Sequence, residues 1–378
     1  MVGRRWPRTV LVGAMWLGAL AVGVVVMAEG LLRVRVAVHE AREARNPSAF
    51  ARLQRAYSPF AIQHLHPYYL FFFPLDQAAR LAIGNEVCSI DADGFREPGP
   101  AHAGGRRLAF LLGGSAAFGY YATSNATTIT SYLNGLQSDY FFVNAGVPSW
   151  NTTQEMFRLA AQIADLHPAL VVAYDGANDA VLANLANTRR HTPYPAGTPE
   201  SFDQLEDLVD DLRAEANLLT FDRLLPQVSH RARKYSGAFR EKYGSPVVPP
   251  VTGFDVAGVD AAARRYVNNH ARMADLSRGS GARFMAVFQP IAGLHRHLAA
   301  SSDERDEMVE AFHQRVSAHQ SSAFEYYDLS SMFDEDIAPV AAAEGQRPED
   351  AIFVDGVHLH DLGNEIVAKR LLRLVLAK

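Results

Sequence analysis

Five short, nearly uninterrupted apolar runs constrain this chain most: Leu108–Leu112, Tyr140–Val143, Ala169–Tyr174, Phe284–Phe288 and Phe324–Tyr327. A strand with one face in water alternates apolar and polar side chains, whereas a strand covered on both faces reads as a continuous apolar run. Helical stretches separate the runs. The last of these, Asp361 to Ala377, places Ile366, Val367, Leu371, Leu372 and Val375 at helical spacing, with Asp361 as a cap. The expected fold is a three-layer α/β/α domain, a doubly wound parallel sheet of the flavodoxin-like kind with an N-terminal transmembrane helix. No internal repeat is visible.

One connection is longer than the fold requires. About 100 residues separate the third and fourth runs, where a crossover needs roughly a dozen. Within it Leu205, Leu208, Val209 and Leu212 share a face among acidic neighbours, and Arg231, Arg233, Lys234, Arg240 and Lys242 follow. The Pro-rich Ser245 to Pro250 comes next. This insertion, placed at about 185–280, reads either as solvated helices with a linker or as a lid or substrate module.

The N-terminus differs from the rest. Thr9 to Ala28 carries no charge, and about 20 such residues are what a helix needs to cross a hydrocarbon core. Arg4, Arg5 and Arg8 precede it. Val26-Met27-Ala28 resembles a cleavage site, but the stretch exceeds the roughly 7–15 apolar residues of a signal peptide. The expectation is a retained single-pass anchor at 9–28, a cytoplasmic tail at 1–8 and the remainder on the extracytoplasmic, periplasmic side. Residues 29–105 read as a stalk and extension, Val34 to Tyr57 being polar and rich in Arg, Glu and Ala. The cluster Tyr68, Tyr69, Phe71, Phe72 and Phe73 either packs on the domain or touches the membrane surface. Residues 106–378 form the main domain.

Charge narrows the function. With 36 basic and 41 acidic side chains the formal net charge is −5, so the basic excess of a nucleic-acid binder is missing. Cys88 is the only cysteine, which excludes an intrachain disulfide and a multi-cysteine metal site.

In a doubly wound sheet, reactive groups gather beyond the carboxyl ends of the strands, where strand order reverses. The first run delivers Gly113-Gly114-Ser115, the second Asn144-Ala145-Gly146, and the third Gly176-Ala177-Asn178-Asp179. Ser115 there can act as a nucleophile, with its own amide, the Gly146 amide and the Asn178 side chain converging on a developing oxyanion. Downstream, Asp355-Gly356-Val357-His358 supplies an imidazole to accept the serine proton and a carboxylate to orient that imidazole. Asp179 stands beside Asn178, either to orient the loop or to touch substrate.

These segments resemble the SGNH (GDSL-like) serine hydrolases over roughly Arg106 to Lys378. Ser115 matches the nucleophile, Gly146 the glycine, Asn178 the asparagine and His358 the histidine, while Gly114 stands where the family name has an aspartate. The resemblance implies Ser115 as nucleophile, His358 as general base and acid, and Asp355 as its partner. Asp93-Gly94-Phe95-Arg96 is also similar to membrane-tethered bacterial members.

Neighbouring readings fail on spacing. Ala117 stands where an α/β-hydrolase elbow needs glycine, and Tyr120 follows Gly119 where a P-loop needs lysine. His358-Leu359-His360-Asp361 could chelate a metal, but further ligands are lacking, so neither metal nor cofactor is expected. His295 and His297 read as exposed loop residues. Three functions follow: a membrane-anchored esterase acting on an acylated lipid or glycan, an O-acyltransferase to a polysaccharide, or a non-catalytic envelope protein that binds such a ligand.

Overall fold

The segment Leu170–Asp175, LVVAYD, is buried at every position, as a central strand covered on both faces must be. The computed structural model describes residues 23–35, 48–61, 64–66, 69–180, 256–295, 304–334 and 351–377. Two compact units divide the chain. The first comprises Met1–Ser48 with Ser201–Thr252, the second Ala49–Glu200 with Gly253–Lys378.

Of the first unit, a helix over residues 23–35 (α1) is described, with Arg33 Nε donating to Glu29 Oε1 at 2.7 Å. Among the described residues no helix is long and apolar enough to cross a membrane. The span expected from Thr9 to Ala28 lies outside the described residues up to position 22.

The second unit opens with α2 (Ala49–Ala61), the antiparallel pair β1 (His64–His66) and β2 (Leu70–Phe72), and α3 (Gln77–Ile83). Then comes the sheet: β3 (Arg107–Leu112), β4 (Tyr140–Asn144), β5 (Leu170–Asp175), β6 (Arg283–Phe288) and β7 (Glu325–Asp328). Its order is β4-β3-β5-β6-β7, all parallel. This is the expected reversal at β3, and it sets the ends of β4, β3 and β5 side by side. The connecting helices are α4 (Ser115–Phe118), α5 (Ile129–Leu136), α6 (Thr152–Arg158), α7 (Val256–Gly279), α8 (Glu304–Ala318) and α9 (Asp361–Leu376).

The period-2 pleat divides the sheet's side chains between two cores. Ala109 and Leu111 pack with Ile129 and Leu133 of α5 and Val367, Leu371 and Val375 of α9. Phe110 and Leu112 point the other way, to Leu159, Ile163, Met273 and Ala274. Helices on both faces make the three layers.

Three expectations need correction. The insertion does not run to residue 280: from Val256 the chain is already α7, whose buried Val259, Ala263, Tyr266, Val267, His270 and Met273 recur at helical spacing against the sheet unit. Residues 181–255, with the acidic and basic stretches, lie outside the described residues. Nor does the main domain begin at 106, because the second unit starts at Ala49. Tyr57, Phe60, Tyr69, Phe72 and Phe73 are buried with Phe118, Val147 and Trp150. Each such side chain is worth roughly 1.5–3 kcal/mol when removed from water. That burial makes residues 49–105 part of the folded unit rather than a stalk, and turns Tyr69, Phe72 and Phe73 inward instead of toward a membrane. Finally, His295 is buried, not exposed. Its Nδ1 donates to Ile291 O at 2.8 Å, Nε2 accepts from the Phe333 amide at 3.3 Å, and burial lowers its pKa. His297 lies outside the described residues.

Candidate active site

The turn after β3 is shaped by what cannot fit there. Gly113 has φ of +149°, and a Cβ on it would come 2.2 Å from Tyr174 O. Next, Gly114 caps the four-residue helix α4, which begins at Ser115 and is stopped by Gly119 in the left-handed region at φ 79°. Within so short a helix the Ser115 and Ala116 carbonyls are taken by the Tyr120 and Gly119 amides, and the last two carbonyls are taken from outside. Asn144 Nδ2, at the end of β4, donates to Ala117 O at 3.0 Å and Phe118 O at 3.2 Å. Arg96 Nη1 donates to Phe118 O and Gly119 O, each at 2.8 Å. The Arg96 fork is fully buried and also reaches Asn125 Oδ1 at 3.0 Å and Tyr57 Oη at 2.9 Å. These braces support the serine turn without an aspartate at position 114.

The structure brings Ser115, His358 and Asp355 together. His358 Nε2 lies 2.7 Å from Ser115 Oγ, and Nδ1 lies 2.7 Å from Asp355 Oδ2. Asp355 Oδ1 accepts the amides of Val357 at 2.9 Å and His358 at 2.8 Å, which fixes the loop against its own carboxylate. Burial pushes the Asp355 carboxyl up, but its hydrogen bond to His358 and that residue's charge outweigh this, and it rests below the usual carboxylate range. The loop is closed beneath by hydrogen bonds from Val354 N to His358 O and from His360 N to Ile352 O, both 2.8 Å. It is tied to the serine side through Asp361, which accepts from the Thr123 amide at 2.9 Å and from the Thr123 hydroxyl. Tyr120 and Tyr121 stand against the imidazole with ring centroids 5.4 and 5.5 Å away. Tyr121 holds φ of +73°, a conformation unusual for a tyrosine, beside the reacting groups.

Asn178 lies across from Gly114, its Nδ2 donating to Trp150 O at 2.7 Å and retaining a second N–H. Gly146 is placed differently from expectation. Its N–H donates to Asn144 Oδ1 at 3.1 Å, and a Cβ there would strike Phe118 N at 2.3 Å. The glycine is needed so that β4 and α4 can touch; its amide is not offered to a ligand. Asp179 is a loop-orienting residue, accepting from Thr152 Oγ1 at 2.7 Å and Thr152 N at 3.2 Å. Among the described residues no group of three or more His, Cys, Asp or Glu is arranged to hold a metal ion.

Arg96 and Asn144 are the site-building residues that motif reading did not single out. Both lie within quoted segments, yet nothing local marks an arginine that will be buried.

The family profile described as GDSL-like lipase/acylhydrolase matches residues 110–371. No curated protein matches the chain. Solved structures similar to it include the acetyl xylan esterase AlAXEase, 12% identical with a TM-score of 0.39, covering 71% of this chain and 100% of that one. A lipase/acylhydrolase from Enterococcus faecalis is 14% identical, with a TM-score of 0.34 and coverage of 71% and 95%. A catalytic mutant of an acetylxylan esterase from Geobacillus stearothermophilus is 12% identical, with a TM-score of 0.39 and coverage of 71% and 94%.

Proposed function

The chain belongs to the GDSL-like lipase/acylhydrolase family, and from that premise we propose that it is a membrane-anchored serine esterase cleaving acyl esters of a lipid or glycan. The observation that carries this is the unbroken series Ser115 Oγ, His358 Nε2, His358 Nδ1, Asp355 Oδ2, with both contacts at 2.7 Å.

The chemistry follows from that series. His358 Nε2 takes the Ser115 proton as Oγ bonds to the acyl carbon, and the carbonyl π pair moves onto oxygen. The Ser115 amide, at the free N-terminus of α4, and the second N–H of Asn178 Nδ2 receive that oxygen. As the tetrahedral species collapses, the alcohol leaves with the proton held by His358. A water then attacks the acyl-serine, again giving its proton to His358, and Ser115 recovers its hydrogen as the acid departs. Asp355 keeps Nδ1–H pointed at itself, so that Nε2 presents its lone pair to the serine. The anchor in this reading is Thr9–Ala28, with the second unit outside the cytoplasm; the span's length and its three leading arginines support it.

The test is turnover of p-nitrophenyl acetate with Ser115→Ala as control. Loss of about 10³-fold or more is expected, as for removal of a triad member. Equal rates sink the assignment. Acylation of an added oligosaccharide by a wild type inert toward water would move the reading to acyl transfer.

A further inference from the structure

Behind the Asn178 turn lies a group of buried titratable side chains that the proposed chemistry leaves unused. Glu155 on α6, Asp175 at the end of β5, Asp179 beyond it, and Tyr266 and His270 on α7 are all buried. Their partners can be followed atom by atom. His270 Nε2 lies 3.0 Å from Asp175 Oδ2, while Nδ1 has no partner, so the ring proton sits on Nε2 and is donated to the carboxylate. Asp179 is satisfied by Thr152. Neither oxygen of Glu155, nor Asp175 Oδ1, meets a donor from elsewhere. The Tyr266 hydroxyl is without a partner as well. Glu155 follows Thr152, which bonds to Asp179, by one helical turn, and Asn269, the neighbour of His270, donates to Thr152 and Thr153, so the Glu155 carboxyl is set beside the Asp175 turn, and the charge of Asp175 acts on it and on the Tyr266 hydroxyl.

Two ionised carboxylates cannot be held face to face in a dry interior, where even one unpaired charge is very costly. A proton held on Glu155 removes that cost. Burial, with Asp175 and Asp179 adding to it, drives the Glu155 carboxyl well above its ordinary value. Burial and Asp175 likewise push Asp179 up to about 6.

The placement gives this proton a task. Asp175 is the last residue of β5, and the chain passes at once through Gly176, at φ of +117°, to Asn178. Asp179 holds Thr152, and Trp150, two residues before Thr152, accepts the Asn178 amide. Asn178 is thus fixed between two buried carboxyl groups and a carbonyl. We propose that Glu155 is a positioning residue for Asn178: its carboxylic acid donates to Asp175 Oδ1 and so fixes the turn that aims the Asn178 amide at the Ser115 end. Ionising Glu155 removes the donor and sets a second negative charge against Asp175. The titratable groups around it are Asp175 and Asp179 from the turn, with His270 and Tyr266 across Asp175 on α7. The inference rests on the serine-hydrolase reading above.

The test uses the full-length chain and kcat and KM for p-nitrophenyl acetate. Glu155→Gln keeps an N–H for Asp175 and cannot ionise. It should retain kcat near neutral pH, and its rate relative to wild type should rise as pH rises through the range in which Glu155 loses its proton. Glu155→Leu should lower kcat about ten-fold or more through misplacement of Asn178, with KM nearly unchanged. In an Asn178→Ala background the same Glu155→Leu change should have almost no further effect on kcat. Equal factors in both backgrounds would mean a general structural role and overturn the proposal, as would Glu155→Gln failing to restore kcat. If Glu155→Leu does not fold, the pH profile of Glu155→Gln decides: a ratio to wild type that is flat with pH overturns the proposal. An Asn178→Ala chain with unchanged kcat leaves nothing to position and overturns it too. Active Ser115→Ala protein, or a wild type inert to the ester, instead fails the hydrolase reading and takes this inference with it.

Discussion

Gly114 and Asn178 contend for one volume: a Cβ on residue 114 would lie 2.4 Å from Asn178 Nδ2 and 3.0 Å from Trp150 O. The crowding by Asn178 and the Trp150 carbonyl leaves no space for a side chain here. An aspartate here would evict the amide that the proposed mechanism uses.

Gly114→Ala should therefore act as a partial loss of Asn178. Removing an oxyanion donor typically costs roughly 10²–10³ in rate, and the substitution should approach that in kcat with little change in KM. Steady-state kinetics of Gly114→Ala beside Asn178→Ala checks it. An alanine variant with wild-type kcat would show that Asn178 yields without consequence.

Asp355 sets a pH signature. Its pKa is lowered by His358, so its contribution to stability is complete above the unfolded value of about 3.9 and is lost as pH falls through the lower folded value. Asp355→Asn should shift the urea midpoint by a constant amount above about pH 5, with the gap to wild type closing in acid. Its kcat should drop by about 10⁴, since an amide partner favours the wrong imidazole tautomer. A stability gap that widens in acid would contradict the assigned sign.

Arg96→Lys should destabilise the fold although charge is kept. One ammonium cannot serve Phe118 O, Gly119 O, Tyr57 Oη and Asn125 Oδ1 together. Each buried polar group left unpaired costs about 1–3 kcal/mol. Urea unfolding should report a loss of roughly 3 kcal/mol, and an unchanged midpoint would remove Arg96 from its bracing role.

Cys88 should be silent in the native chain. It is fully buried, and that burial pushes its thiol up to about 11, so little thiolate exists at neutral pH and none is accessible. A thiol reagent should titrate one group in urea and none before unfolding. Rapid native labelling would place the aromatic cluster around Cys88 in a looser state.

Much of this architecture could be read directly. Ala169 to Tyr174 is continuous and apolar because it is covered on both sides, and such runs mark strand ends and thereby Ser115 and Asn178. His358 was legible because it sits three residues after an aspartate in a loop before an amphipathic helix. What escaped reading depends on distant partners. Arg96 looks like any loop arginine until the carbonyls of α4 arrive to meet it. Glu155, in the polar sequence TTQEMFR, looks like a solvated helix face, and only the packing of α7 over it seals it off. The arginines around α2 suggested a stalk, whereas two residues of that helix, Tyr57 and Phe60, determine that it docks. The Gly146 amide was misplaced because a strand-end glycine serves equally to expose an N–H or to admit a neighbouring backbone.

Ser115 and His358 stand 243 residues apart, and the turn bearing the serine is held by Tyr57 and Arg96, which precede the sheet. Brace, nucleophile and base thus emerge in that order during synthesis. A chain interrupted after residue 115 and before residue 358 holds the serine but not the imidazole that takes its proton, and its hydroxyl is as unreactive as any surface alcohol. On the proposed placement, with this unit outside the cytoplasm, reactivity switches on only when the His358 loop has closed against the Ser115 turn. Competence to cut esters would then be a readout of completed export.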